Sequence, residues 1–202
     1  SALRIGASIG VAIVPSIMDK PHSHQVINHW NLTRRKWKPI AKIDLRGNKR
    51  EFLAATSKTI GLILPNEPNT SSSSEKLTAI WLSPDEWLVV TNSIIEKQSN
   101  IYELENSLKD TITKSKLGSV VNVTDQFIMI NLEGNNIYDL LASACPFNFN
   151  KFMKNKCAVA QTVFAHIDII LHHKDTNNLN LFVRRSFSEH LFSWMNDAAS
   201  RM

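Results

Sequence analysis

The phrase Ile43-Asp44-Leu45-Arg46-Gly47-Asn48 returns later in the chain as Ile130-Asn131-Leu132-Glu133-Gly134-Asn135, with Leu53 matched by Leu140. Each copy alternates apolar and polar residues, closes on glycine, and hands over to an asparagine suited to start a helix. Both copies then continue as strand, hairpin strand and helix. That order of elements, used twice, predicts a duplicated split βαβ unit on the ferredoxin-like plan, and so an α+β chain. The expected layout is an N-terminal arm over 1–36, a first half over 37–118 and a second over 119–202.

Within the first half, Ile40 to Arg46 reads as a half-buried strand. Asn48 and Glu51 stand at capping-box spacing ahead of a helix whose Phe52, Leu53, Thr56 and Ile60 share one face. Gly61 suits its end. Pro65, Pro68 and the serines 71–74 predict an exposed connection from Asn66 to Glu75. Two short strands, Leu77–Leu82 and Trp87–Thr91, flank the turn Ser83-Pro84-Asp85-Glu86, in which proline presets φ. A second helix is expected from about Ile94 to Ile112 on the stripe Ile101, Leu104, Leu108 and Ile112.

The second half opens with Val120–Val123 and a strand over Phe127–Glu133. A helix follows with Ile137, Leu140, Leu141 and Ala144. Val163, Ala165, Ile167, Ile169 and Leu171 alternate strictly and predict one strand, turned at Asp175–Asn178 into Leu179, Leu181 and Val183. Ser186 to Glu189 is a capping box that should start a last helix burying Phe187, Leu191, Trp194 and Ala198.

Composition narrows function by exclusion. Forty-three per cent hydrophobic residues exclude general disorder, and no apolar run approaches the roughly 20 residues of a membrane-spanning helix. Two cysteines, Cys145 and Cys157, suggest a reducing compartment, and the expected location is the cytoplasm. Six glycines supply no phosphate-cradling loop and no dinucleotide fingerprint. No cofactor is therefore expected on this chain.

Several residues invite a chemical reading. His166, Asp168 and His172 share one face of the alternating stretch, at ligand spacing, with His173 beside them; Lys174 next to them disfavours a cation. The run Arg34-Arg35-Lys36-Trp37-Lys38 combines cations with an indole, a pattern that serves a nucleic acid or an acidic protein partner. The paired aromatics of an RNA-binding sheet are missing, so a solvated face or an acidic protein partner is the favoured reading. Trp81 and Trp87 flank the Pro84–Glu86 turn on two strands, so both indoles are expected in the core; the alternative is that the turn, with Asp85 and Glu86, forms a docking knob. Arg184 and Arg185 close the last strand as forked donors for a neighbour's carboxylate. The candidate interface is thus Arg34, Arg35, Trp37, Asp85, Glu86, Arg184 and Arg185.

The segment Trp81-Leu82-Ser83-Pro84-Asp85-Glu86-Trp87-Leu88 resembles the tryptophan-flanked Pro-Asp-Glu-Trp-Leu motif of the gamma subunits of heterotetrameric sarcosine oxidases. Further matches keep the family's order. They are Leu45-Arg46-Gly47, Val121 to Asp125, Cys145-Pro146, Ala160-Gln161-Thr162, Leu171-His172, Arg184-Arg185-Ser186-Phe187, and the last helix with Trp194 and Ala198-Ala199. The chain departs from the pattern in two extra residues within Cys157 to Gln161 and in Asn148, where the family usually has aspartate. The resemblance implies a fold related to the folate-binding domain of aminomethyltransferases. It also implies a complex with alpha, beta and delta chains in which FAD, FMN, NAD, tetrahydrofolate and zinc belong to the partners. That complex oxidises sarcosine to glycine, passing the methyl carbon to tetrahydrofolate or releasing formaldehyde, with hydrogen peroxide as coproduct. A competing reading is a stand-alone folate-binding, aminomethyltransferase-like protein, for which Asp125 is the candidate acidic group. No nucleic acid and no membrane are expected as partners.

Overall fold

Leu88 and Val90 point to one side of their strand while Trp87 and Val89 point to the other, and both sides are buried. A strand of alternating residues that is apolar throughout must be covered on both faces. The computed structural model supplies the two covers; it describes residues 10–14, 40–92 and 98–201. In chain order its elements are β1 (Gly10–Val14), β2 (Lys42–Arg46), α1 (Arg50–Ile60), β3 (Ser71–Ser73), β4 (Leu77–Ser83) and β5 (Glu86–Thr91). There follow α2 (Gln98–Leu108), β6 (Ser119–Asn122), β7 (Phe127–Glu133), α3 (Ile137–Ala142), α4 (Phe149–Phe152), β8 (Val159–Phe164), β9 (Ile167–Asp175), β10 (Asn178–Arg184) and α5 (Arg185–Ala199).

The strands form two five-stranded antiparallel sheets, ordered β3-β4-β5-β2-β6 and β1-β7-β10-β9-β8. They stack back to back. Ile80, Leu88 and Val90 of the first meet Met129, Val159 and Phe182 of the second. On its outer face the first sheet packs Ile43, Leu45 and Val89 against Phe52 of α1 and Leu108 of α2. The second packs Ile130, Leu171 and Leu181 against Leu140 of α3 and Leu191 of α5. The result is α+β in four layers, helices outside and sheets within.

Counted from its own first strand, each sheet has the same order, β2 matching β7 and β5 matching β10. The expected repeat is therefore visible in the pairing. Each sheet's last position is filled differently: β6 follows α2 in the chain, whereas β1 comes from the N-terminal arm and pairs with β7 in the register Gly10↔Glu133 to Val14↔Met129. So β6, the first element of the expected second half, belongs to the first sheet.

The structure corrects several local expectations. Ser71–Ser73 are not a free loop but a short strand, because Ser71 pairs with Ile80 and its N–H donates to the Cys157 carbonyl at 2.9 Å. That contact and the Thr70–Ala158 bridge join the two sheets along one side. The alternating stretch Val163–Leu171 is a hairpin, broken by the two-residue turn Ala165-His166, whose φ angles are 48° and 66°. Asn48 does not cap α1, since the N-cap is Lys49; Gly61 does end that helix, at φ 66°. Asn135 does not cap α3, where the N-cap is Asn136. Helix α2 closes on a π turn over Lys109–Thr113. The Ser186 capping box does not form, because α5 already starts at Arg185, and Phe187 is 47% exposed rather than buried. Leu191 is buried as expected, Met195 and Ala199 complete the buried stripe, and Trp194 and Ala198 are partly buried against it.

Candidate functional site

Chemistry-bearing side chains gather at two corners, marked by opposite ends of β2. Residues alternate along that strand, so Ile43 and Leu45 enter the helix-covered core while Lys42 and Asp44 face the second sheet.

At the first corner Lys42 is 1% exposed. Its Nζ donates to the carbonyls of Ile40 at 3.2 Å and Thr124 at 3.3 Å. Burial pulls its pKa down to about 8, with Asp125 opposing the fall and Arg185 adding to it. Thr124 also accepts the Lys42 backbone N–H at 3.0 Å on its hydroxyl, so the β6–β7 connection is fastened to β2. Beside it, Arg185 donates from Nε to the Asp125 carbonyl at 3.0 Å and stands 3.5 Å from that carboxylate. The Arg184 side chain is exposed and forms no hydrogen bond or ion pair among the described residues, and Phe187, three residues on in the first turn of α5, is exposed as well.

At the second corner Glu86 accepts from Arg46 at 2.7 Å. Asp85 accepts from the Ser83 hydroxyl at 2.7 Å, and its carbonyl takes the N–H of Gly47 at 2.9 Å. Asp44 lies beside this pair, 3.6 Å from Arg46, with its Oδ1 buried and without a hydrogen-bond partner among the described residues. Burial raises its pKa, Glu86 raises it further, and Arg46 pulls it back. The two carboxylates of the turn thus have structural partners within the chain.

Arg185 is brought to Asp125, and Glu86 to Arg46. The two corners are not brought together, since Lys42 and Arg46 stand at opposite ends of β2, roughly 13 Å of strand apart. Arg34, Arg35 and Trp37 lie outside the described residues. The tryptophans pair across β4 and β5, with Trp87 buried and its Nε1 donating to the Pro65 carbonyl at 2.7 Å, which makes it a core residue.

The histidines disperse. His166 sits in the hairpin turn, Asp168 is exposed, and His172 is buried between the sheets, where desolvation lowers its pKa to about 4. His173 faces the opposite layer, Nδ1 against the Asn155 carbonyl at 2.9 Å. Among the described residues no three His, Cys, Asp or Glu side chains assemble into a metal-holding group. No helix among them is long and apolar enough to cross a membrane.

Lys42 and Asp44 were invisible as special residues in the sequence, because a polar residue at every second position is what any half-solvated strand displays. Nothing local announces that a second sheet covers that face.

Known proteins are similar to this chain in sequence and in fold. A curated sarcosine oxidase subunit gamma from Corynebacterium sp. (strain P-1) is 26% identical over 148 residues, covering 73% of this chain and 69% of that protein. In the solved heterotetrameric sarcosine oxidase from Corynebacterium sp. U-96, in complex with pyrrole 2-carboxylate, one chain superposes with a TM-score of 0.71 at 22% identity, over 81% of both chains. That likeness shows a common fold. The model of the sarcosine oxidase, gamma subunit family matches residues 46–201. The chain belongs to the sarcosine oxidase gamma subunit family.

Proposed function

We propose that this chain is the gamma subunit of a cytoplasmic heterotetrameric sarcosine oxidase, a non-catalytic chain that docks on the alpha subunit. The family match through residues 46–201 carries the reading. Folding supports it, because the strongest polar arrangements, Lys42 with Thr124 and Glu86 with Arg46, are spent on fastening strands to one another. In this reading the partner alpha, beta and delta chains hold FAD, FMN, NAD and zinc and bind tetrahydrofolate. The complex oxidises sarcosine to glycine, with the methyl carbon leaving as formaldehyde or methylene-tetrahydrofolate and with hydrogen peroxide formed.

Arg184, Arg185, Asp85 and Glu86 remain interface candidates of unequal standing. Arg184 is the best anchor, since its side chain is exposed and unengaged among the described residues and Phe187, three residues on, is exposed aromatic surface. Co-expression of the tagged chain with alpha, beta and delta chains, followed by pull-down and cofactor analysis, tests the whole reading. The expected result is a yellow, sarcosine-oxidising complex, and a colourless, inactive chain when it is purified alone. Recovery of the tagged chain without partners, or with flavin bound at about one per molecule in isolation, would overturn it.

A further inference from the structure

From Leu140 to Ile167 the chain has three lysines, Lys151, Lys154 and Lys156, and not one carboxylate. All three are exposed, as is Met153 among them at 37%. Lys156 lies 3.9 Å from Asp175, while Lys151 and Lys154 form no ion pair among the described residues. The lysines sit on α4 and the loop behind it, on the outer layer of the second sheet.

This loop is held rigid from beneath. Phe147, Phe149 and Phe152 interlock edge to face, with ring centroids 5.0 to 6.1 Å apart. Tyr138 packs on Phe149 at 5.6 Å, and His173 on Phe152 at 5.6 Å. His173 also grips the loop's main chain at the Asn155 carbonyl, and Asn148 caps α4 through the Asn150 N–H at 3.0 Å. The corresponding connection in the first half, 61–70 between α1 and β3, has no aromatic ring. A charged loop on a fixed aromatic base loses little side-chain and main-chain freedom on docking, and its charge of one sign selects an oppositely charged surface.

We infer that the Lys151–Lys156 loop is a docking surface for an acidic face of another subunit of the oxidase, with Met153 as its apolar centre. The inference rests on the proposed role within the complex. Three cations, of which only Lys156 meets a carboxylate among the described residues, specify the partner's charge, and the aromatic base specifies a preformed contact.

The test uses full-length tagged chain co-expressed with the alpha, beta and delta chains, as wild type, as Lys151→Glu/Lys154→Glu/Lys156→Glu, and as the neutral triple glutamine variant. Circular dichroism on each chain verifies the fold, which exposed lysines do not support. Expected is a loss of recovered complex of about tenfold for the glutamate variant at about 50 mM salt, with a smaller loss for the glutamine variant. Wild type should also weaken as salt rises to about 300 mM, and the glutamine variant much less. Equal recovery of all three chains at both salts would overturn the inference while leaving the proposed function standing. Failure of the wild type itself to recover partners would overturn both.

Discussion

The Nζ of Lys42 donates to the main-chain carbonyl of Thr124, 82 residues away, from a position only 1% exposed. An ammonium so placed exchanges hydration for two carbonyl contacts, and its pKa near 8 reports that the exchange is incomplete.

Stability should therefore rise with pH in an alkaline window. The folded chain releases the Lys42 proton near pH 8 and the unfolded chain near 10.5, so the unfolded state binds more protons between those values. The desolvation penalty is fully present below about pH 8 and is gone above 10.5. Its size is on the order of 3 kcal/mol, from about 1.4 kcal/mol per pH unit. Denaturant melts from pH 7 to 10.5, compared with Lys42→Met to cancel other titrations, should show the rise in wild type only. Parallel curves would refute it.

Gly118→Ala should destabilise the first sheet. A Cβ there would stand 2.2 Å from the Arg46 carbonyl oxygen and 2.9 Å from the Phe52 ring. The first obstacle is main chain in a paired strand, so it cannot swing aside, and overpacking of this kind costs roughly 1–3 kcal/mol. Thermal melting should fall by several degrees, and an unchanged midpoint would contradict the close approach.

Phe187→Ser and Leu181→Asp should separate surface from core. Leu181 is wholly buried in the second core, and an unpaired carboxylate there costs several kcal/mol. Phe187 is half exposed, so its replacement should shift the melting midpoint by less than about 2 °C. In the pull-down, Phe187→Ser and Arg184→Ala should both reduce recovery of the alpha chain. A large loss of stability in Phe187→Ser would return that ring to the core.

Glu86→Gln should lower the Asp44 pKa. Glu86 pushes that carboxyl upward and also holds the Arg46 guanidinium at 2.7 Å. Removing its charge deletes the push and frees Arg46 for Asp44. The fold should survive, since the Arg46 side chain is 58% exposed and glutamine keeps an oxygen that accepts from it. A carboxyl titration followed by NMR reads the direction, and an upward movement would refute the assignment of causes.

The repeat was legible because period-two alternation and a closing glycine survive in both copies, at Ile43–Gly47 and Ile130–Gly134. The hairpin at Ala165-His166 was not. Positive φ at both turn positions is usually advertised by Asn-Gly or Asp-Gly, and here an alanine keeps the apolar rhythm running through the bend. Ser71–Ser73 have no strand signal of their own, and distant partners, Ile80 and the Cys157 carbonyl, make them one. Phe187 shares a helical stripe with Leu191, Met195 and Ala199, so periodicity alone assigned it to the core. Of the docking candidates, the arginines and the turn carboxylates could be picked out by type, but whether each already had a partner within the chain depends on pairings such as Arg46 with Glu86, which bring together residues 40 positions apart.

The strand β1 occupies, beside β7, the place that β6 occupies beside β2, yet it is reached from the other side of the sequence. The two units therefore differ by a cyclic reordering of one strand. During synthesis, residues 10–14 emerge long before residues 127–133, and the pairing of β1 with β7 closes a loop of more than one hundred residues. A rearranged gene that places Gly10–Val14 behind Ala199 through a short linker would shorten that loop toward the one between Leu45 and its partner Val120 in the first unit, giving the second unit the same chain order as the first.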